Sequence, residues 1–388
     1  MDLERPMALL GGLSASDFMR LHWQKKPRLI RSAAPGVLAG VDRRSLFALA
    51  ARDDVESRLV ARSGRQWSVR HGPIARRALP SLATPHWTLL VQGVDLHDTA
   101  VHRLREGFRF IADARLDDVM LSFATDGGGV GPHLDAYDVF LLQVAGRRRW
   151  RVGRTARPQW RGDVPLKMLR GFVPRHDWLL EPGDMLYLPP GWGHDGIAVG
   201  ECITASVGFR APTADALAGE VFQRIAEARM SDNEAMPPRE SDRYADAGEA
   251  ATDRPARIPD RLQGFVMASI ERLLGDGRAR ECALGEVLSE PKPGTWFERG
   301  DMAPTQGAAI TLDARTRMLY DDRHVFINGE SYRAAGADAT LMRRLADRRR
   351  LGAASVARAS AGARDLLAEW VQAGWCLATH DTLDEEPT

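Results

Sequence analysis

The chain has 388 residues, of which 44% are hydrophobic and 27% charged, and its formal net charge is +1. This length exceeds one average core, so we expect a globular protein of two or three domains. The balanced charge argues against a protein whose whole surface binds nucleic acid. Three scattered cysteines and the lack of a long apolar run argue against a disulfide framework and a membrane span. We therefore expect a cytoplasmic location.

The N-terminal region mixes helices with strands. Ser14 is placed to cap a helix that ends before Pro27, and Asp42 is placed to cap a second one. From Trp67 the pattern changes to short apolar or alternating runs bounded by Gly, Pro and Asp. The predicted strands are 67–69, 87–94, 118–124, 139–144, 149–152, 185–188 and 203–209. So many short strands favour an all-β sandwich or barrel.

Within this strand-rich region, a glycine-rich stretch, 127–131, leads into an extended segment that carries His133, Asp135 and Tyr137. Residues two apart in an extended segment point to the same side, so these side chains should share one face. The best third ligand is His194, which follows an apolar strand and a Pro-Pro-Gly turn. Two histidines and one carboxylate leave positions open on a metal, as in non-haem Fe(II) oxygenases. The alternatives are a hydrogen-bonded structural histidine and, for Tyr137, core packing.

An inward-facing arginine is predicted shortly after this segment. In 147–152 the even positions hold Arg148, Trp150 and Val152, so period-2 alternation turns Arg148 towards the interior. A buried guanidinium needs an anion, and its planar fork suits a carboxylate. A dicarboxylate such as 2-oxoglutarate could chelate iron at one end and reach Arg148 with the other. The alternative is an internal salt bridge to Asp or Glu.

After Pro212 the hydrophobic period becomes helical. Thr213 can cap one amphipathic helix and Pro259 opens another, with 231–255 predicted as an exposed polar loop between them. Short strands and then two further helices follow from about residue 290. The predicted strands there are 310–313, 317–320 and 324–327, and the helices bear Leu341, Met342 and Leu345, then Leu366, Leu367, Trp370 and Val371. The arginine run 343–350 is predicted to be a solvated face rather than a nucleic-acid contact.

These motifs resemble those of JmjC-type 2-oxoglutarate oxygenases, and among them the bacterial ribosomal oxygenases that hydroxylate arginine. The matching stretches are 22–27, 57–60, 71–73, 127–152, 181–194 and 206–212. The resemblance implies a mainly β core, a cupin-like and JmjC-like double-stranded β-helix, over residues 1–211. It further implies an α-helical dimerisation segment at 212–289 and a small α+β winged-helix-like domain at 290–388.

The resemblance also implies a function and its residues. His133, Asp135 and His194 would be the catalytic Fe(II) ligands, with 2-oxoglutarate and O2 as cosubstrates. The cosubstrate would contact Arg148, Ser122, Thr204 and Ser206, although the polar face of strand 203–209 could instead face solvent. The expected reaction is β-hydroxylation of an arginyl residue in a protein of the large ribosomal subunit.

The cationic substrate needs acceptors or an aromatic face, and Tyr137, Asp138 and Asp126 lie close in sequence to the ligands. The aspartates could equally cap turns or be solvated. We expect a homodimer without direct nucleic-acid contact. Two alternatives stay open: the same chemistry on a histidyl residue or a non-ribosomal protein, and a non-catalytic cupin-like regulator that binds nucleic acid.

Overall fold

The computed structural model describes residues 2–235, 243–245, 251, 254–300 and 308–379. The chain divides into two compact units, Met1–Pro212 and Thr213–Thr388. Across those ranges, no helix is both long and apolar enough to span a membrane. The predicted division into three domains stays a prediction.

The first unit begins with helices that form as the capping residues predict. Ser14 accepts a hydrogen bond from the Asp17 amide at 3.1 Å, and Asp42 accepts one from the Ser45 amide at 2.9 Å. Its helices are α1 Ala15–Leu21, α2 Arg43–Ala50 and α3 Thr99–Glu106. Its strands are β1 Arg28–Ile30, β2 Ser57–Ser63, β3 Gln66–His71, β4 Trp87–Val91, β5 Leu116–Ala124, β6 Asp138–Arg154, β7 His176–Leu180, β8 Met185–Leu188 and β9 Trp192–Phe209.

These strands form one antiparallel sheet in the order β1-β8-β6-β9-β5-β4-β2-β3, with β7 on β6. The mainly β core of a cupin-like fold is therefore confirmed. The separate strands predicted at 139–144 and 149–152 are wrong, because β6 runs through both. Two register shifts, between Gln143 and Ala145 and between Ala145 and Arg147, let β6 stay paired with β9 between the two predicted strands. Strand 203–209 is likewise only the end of β9.

The two faces of β6 contribute to different core clusters. Phe140 and Leu142 belong to the larger cluster, whereas Val139 and Leu141 belong to the smaller one. After the register shifts, the even positions Trp150 and Val152 join the smaller cluster. We call this set the small core cluster, and its buried members are Val139, Leu141, Trp150, Val152, Leu180, Leu186 and Leu188. Burying these apolar side chains stabilises the face of the sheet that carries the candidate site.

The second unit combines helices with two small sheets. Its helices are α4 Ala214–Ala235, α5 Asp260–Gly275, α6 Gly277–Ser289, α7 Gly336–Arg348, α8 Ala353–Ala357 and α9 Ala361–Gln372. Its strands are β10 Ala309–Leu312, β11 Met318–Tyr320, β12 His324–Ile327, β13 Glu330–Arg333, β14 Arg350–Leu351 and β15 Cys376–Thr379. They pair as β14-β10-β15 and β11-β12-β13. The predicted strands and helices of this region are confirmed.

The predicted loop 231–255 is only partly described. Helix α4, capped by Thr213 through the Ala216 amide at 3.2 Å, continues to Ala235, so the loop was predicted to start too early. Residues 236–242, 246–250 and 252–253 lie outside the described residues.

The arginine run 343–350 is not wholly a solvated face. Arg349 is buried and donates to Thr316 O at 3.1 Å and Asp313 O at 2.7 Å. Arg343 donates to Asp322 O at 2.7 Å. These two arginines therefore satisfy backbone carbonyls of their own unit.

Candidate metal centre

The glycine-rich stretch 127–131 packs closely against β9. The Gly127 amide donates to Ala198 O at 3.0 Å, and the Ala198 amide donates to Gly128 O at 2.9 Å. Gly131 has a left-handed φ of +76°, and a Cβ there would lie 2.6 Å from the Met168 side chain. Glycine meets both demands, because it has no Cβ to clash and adopts a positive φ readily. The stretch therefore fixes the path of the residues that follow it.

His133 and His194 lie opposite each other in an isolated antiparallel bridge. Each amide donates to the carbonyl of the other residue at 2.9 Å, and the ring centroids are 4.2 Å apart. Asp135 follows in irregular backbone rather than in the strand expected from its spacing. Its Oδ2 nevertheless lies 3.4 Å from His194 Nε2 and 3.8 Å from His133 Nε2. One ligand atom from each residue falls within 4.8 Å of the others, so the three could hold one metal ion.

Backbone carbonyls fix the tautomer of both histidines. His133 Nδ1 lies 2.9 Å from Gly131 O, and His194 Nδ1 lies 3.1 Å from Trp192 O. A carbonyl can only accept, so in each ring Nδ1 carries the proton that is donated. The Nε2 atoms then face Asp135, and neutral rings would present their lone pairs there. Such outer contacts commonly orient histidine ligands for a metal.

The protonation states suit a cation at this position. Burial and the neighbouring charge of His194 lower the pKa of His133 to about 4. Burial alone would raise the pKa of Asp135, but its hydrogen bond to His194 and the charges of both histidines lower it to about 2. Burial of His194 opposes its protonation. The hydrogen bond to Asp135 and the charge of that carboxylate outweigh burial, so the pKa of His194 is raised. A metal ion in the cluster would take the place of the proton that His194 shares with Asp135.

Arg148 faces inward as the alternation predicts. The residue is 5% exposed, and its Nε and Nη2 are buried without a hydrogen-bond partner in the described residues. It lies opposite Leu180 and Ala198 in the sheet, so its side chain shares the face of the small core cluster. The Trp150 ring centroid is 5.7 Å from its Cζ. The alternative of an internal salt bridge finds no support among the described residues.

Ser122, Thr204 and Ser206 lie on that same face. Ser122 is opposite Thr204, and Thr204 is opposite Gln143, while Ser206 is opposite Leu141 of the small core cluster. Directly opposed residues share a face of the sheet. All three hydroxyl residues are buried, so this is not a solvent face. Thr204 Oγ1 is held by Gln143 Oε1 at 3.1 Å, a contact that the sequence did not indicate.

The three expected substrate contacts are not brought together. Tyr137 hydrogen-bonds Asp135, and burial followed by the Asp135 charge raises the pKa of its phenol. Asp138 instead points to the opposite face of β6, where it is fully buried and accepts from Tyr187 Oη at 2.6 Å and Gln24 Nε2 at 3.1 Å.

Asp126 also stays away from the cluster. It is exposed and accepts from the Gly200 amide at 2.8 Å, so it holds a turn. The structure therefore leaves only Tyr137 beside the metal ligands, because side-chain direction and local hydrogen bonds engage both aspartates elsewhere.

Arg58 is a site residue that the sequence did not single out. It pairs with Leu90, which pairs with Ser122, so its side chain lies on the face of the candidate site. Its Nε is buried without a hydrogen-bond partner in the described residues, and its charge contributes to the lowered pKa of His133. The run 57–60 alternates weakly, so only its pairing partners reveal which way Arg58 points.

Comparisons with known proteins match both units. Residues 103–217 match the JmjC domain, and residues 283–377 match the ROXA-like winged helix. The chain is 40% identical over 232 residues to ribosomal protein uL16 3-hydroxylase of Escherichia coli (strain K12). That match covers 58% of this chain and 62% of the relative, so the chain spans less than two thirds of the curated relative it matches.

Solved structures match over nearly the whole chain. The X-ray structure of E. coli ycfD aligns with a TM-score of 0.79 and 29% identity, covering 95% of this chain and 98% of that one. A structure of YcfD, an Escherichia coli ribosomal oxygenase, in complex with cobalt and 2-oxoglutarate aligns with a TM-score of 0.74 and 29% identity. It covers 94% of this chain and 98% of that one.

The cluster predicts that His133→Ala, Asp135→Ala and His194→Ala each weaken metal binding by at least about 100-fold, because each removes one of three ligands. Titration with Co(II) by calorimetry measures this, and thermal melting of the metal-free variants shows whether the fold survives. The exposed residues His176 and Asp177 supply matched alanine controls. A variant with wild-type Co(II) affinity would remove that residue from the ligand set.

Proposed function

Because the chain carries a JmjC domain followed by a ROXA-like winged helix, we propose that it is an Fe(II)- and 2-oxoglutarate-dependent oxygenase. Its proposed reaction is hydroxylation of the β-carbon of an arginyl residue in a large-subunit ribosomal protein. The observation that carries the proposal is the buried guanidinium of Arg148, on the same face of the sheet as the small core cluster. Two of its nitrogens find no hydrogen-bond partner in the part of the chain that the structure describes. A structural metal site alone would not need such an anion receptor.

The donor set fits the proposed metal and cosubstrate. Two imidazoles and one carboxylate are the set that non-haem Fe(II) oxygenases use, and they leave coordination positions for other ligands. His133, Asp135 and His194 would hold the iron, and Arg148 would bind the far carboxylate of 2-oxoglutarate through two parallel hydrogen bonds. Bound iron and 2-oxoglutarate would together supply the oxidising power needed to hydroxylate an unactivated carbon.

The chain's own residues bind, orient and exclude water. The Nδ1 contacts to Gly131 and Trp192 keep both imidazoles turned towards Asp135. Tyr137 holds the Asp135 carboxylate by a hydrogen bond. Thr204 and Ser206 add hydroxyls on the face of the sheet that carries Arg148. The buried apolar residues of the small core cluster exclude water from the same face. A dry setting strengthens the attraction between Arg148 and a carboxylate.

The substrate assignment is supported by likeness. The E. coli relative is named as a 3-hydroxylase of ribosomal protein uL16, and carbon 3 of an amino acid is its β-carbon. The choice of arginine rather than histidine as the target residue rests on the sequence resemblance. Tyr137 hydrogen-bonds the proposed ligand Asp135, so its ring is an aromatic face that could meet a guanidinium. A cytoplasmic location belongs to the same proposal, and Cys202, Cys282 and Cys376 are all unpaired.

Replacing Arg148 with Met keeps most of its volume and removes the fork. The affinity for 2-oxoglutarate should fall by about 2 kcal/mol or more, because a charge-assisted pair of hydrogen bonds is lost. Anaerobic titration with 2-oxoglutarate in the presence of Fe(II), followed by its visible charge-transfer band, measures the affinity. Arg147→Met and Arg149→Met are matched controls, because both side chains are exposed. Equal losses at all three positions would contradict the assignment of the inward face.

Peptides of the ribosomal protein test the substrate. We expect one added oxygen, detected by mass spectrometry, on the peptide with arginine at the target position and none on versions with histidine or lysine. Asp135→Ala should give no product. Oxygen on the histidine peptide alone would overturn the arginine assignment and keep the oxygenase. Absence of both product and 2-oxoglutarate turnover would overturn the oxygenase itself.

Helix α5 supports the proposed homodimer. Its apolar residues Phe265, Ile270 and Leu274 are 40%, 40% and 36% exposed. An apolar stripe of this kind is commonly covered by a partner. Light scattering should find a dimer at micromolar concentration, and Phe265→Ser with Ile270→Ser should shift it to monomer. A monomeric wild-type protein would contradict the proposal.

A further inference from the structure

The last residue of β6 and the segment that leads to β7, residues 154–175, carry a concentrated positive charge. This stretch contains six basic residues and one acidic residue, whereas the whole chain has a net charge of only +1. Five of the cations are exposed and form no ion pair in the described residues. They are Arg154, Arg157, Lys167, Arg170 and Arg175. We call this segment the basic rim.

The basic rim is fixed beside the candidate metal centre. The Leu169 amide donates to Pro132 O at 2.7 Å, and the Met168 side chain occupies the space that a side chain at Gly131 would need. Trp160 and Leu169 form an isolated bridge that closes the segment on itself. Pro132 directly precedes His133, so the rim is joined to the chain at the first metal ligand.

A cleft of about 790 Å³ lies between the rim and the sheet. Its walls include Trp160, Arg161, Arg170 and Phe172 from the rim. They also include Pro132 and Asp195, which adjoin His133 and His194 in the sequence. This volume suits a small planar group with its substituents. Lys167 Nζ lies over the Trp160 ring, 4.8 Å from the ring centroid. This lysine is exposed, so a base could displace it from the ring.

We propose that the basic rim binds single-stranded RNA, with one base in the cleft against Trp160 and phosphates on the exposed cations. Aromatic faces and arginine planes are the surfaces on which unpaired bases stack, and unpaired cations attract the phosphates. An acidic peptide would satisfy the cations but would leave the aromatic cleft unused. This surface is separate from the arginine run 343–350. RNA binding at the basic rim would contradict the expectation of no direct nucleic-acid contact.

The charge also bears on the substrate, in a step that rests on the proposed function. An arginyl substrate is cationic, so a cationic rim next to the proposed metal ligands repels it. RNA that accompanies the substrate would neutralise the rim and reverse this effect. The rim would then favour a ribosomal protein presented together with RNA over the same protein alone.

Binding is tested without turnover, so its outcome is independent of the proposed reaction. The probe is a fluorescent single-stranded oligouridine, and anisotropy is followed at several salt concentrations. The variant Arg157→Gln/Lys167→Gln/Arg170→Gln should bind at least about tenfold more weakly, and its log-log salt slope should fall by about 2, since each lost phosphate contact removes about 0.7. Removing the same charge elsewhere, with Arg278→Gln/Arg280→Gln/Arg358→Gln, should change affinity by less than about twofold.

A second variant separates stacking from charge. Trp160→Leu should weaken binding by about tenfold with an unchanged salt slope, because it removes a stacking face and no cation. No RNA binding by the wild-type protein, or equal losses in the rim and control variants, would overturn the proposal. Polyglutamate that competes as well as RNA would also overturn it, because an acidic polypeptide would then be the partner.

Discussion

The antiparallel pairing of β6 with β9 is the interaction on which the candidate site depends. It runs from Asp138 opposite Phe209 to Arg154 opposite Trp192. One end of β9 carries His194, and the middle of β6 carries Arg148, so a single register sets the separation of metal ligand and anion receptor. A slip of one residue would turn Arg148 to the outer face. The two register shifts near Gly146 are therefore part of the site's construction, since they bring the even positions of β6 onto the face of Val139 and Leu141.

Buried charges in the first unit are compensated to different degrees. Arg105 and Asp95 form a buried pair at 2.9 Å, and Asp138 is held by Tyr187, Gln24 and Arg115. Those charges are compensated inside the fold. By contrast, Nε and Nη2 of Arg148 are buried without a hydrogen-bond partner among the described residues, and such burial of a guanidinium is costly. The fold tolerates this cost at the position where the proposed cosubstrate would supply the missing carboxylate.

Sequence patterns predicted what local geometry controls. The caps at Ser14, Asp42 and Thr213 and the inward turn of Arg148 follow from spacing and alternation, and the structure confirms them. Asp138 points away from the side of Tyr137, as alternation along an extended segment predicts, so its closeness in sequence to the ligands did not indicate closeness in space. Arg58 could not be recognised, because its position relative to Ser122 depends on strand pairing that no local pattern encodes. The continuity of β6 was not predicted, because the register shifts that keep it paired with β9 depend on the partner strand and leave no local pattern.

The close contact between Trp150 and Gly196 limits which side chains can occupy these two positions. A Cβ at Gly196 would lie 2.6 Å from the Trp150 ring, so glycine leaves the space that the indole occupies. The indole in turn lies beside the guanidinium of Arg148. These two positions must therefore vary together: a larger residue at one requires a smaller ring at the other. Shortening Trp150 while keeping Gly196 would open a void next to the Arg148 guanidinium, which leaves room for an anion bulkier than the proposed cosubstrate. The side chains at positions 150 and 196 therefore set the space that is left beside the Arg148 guanidinium.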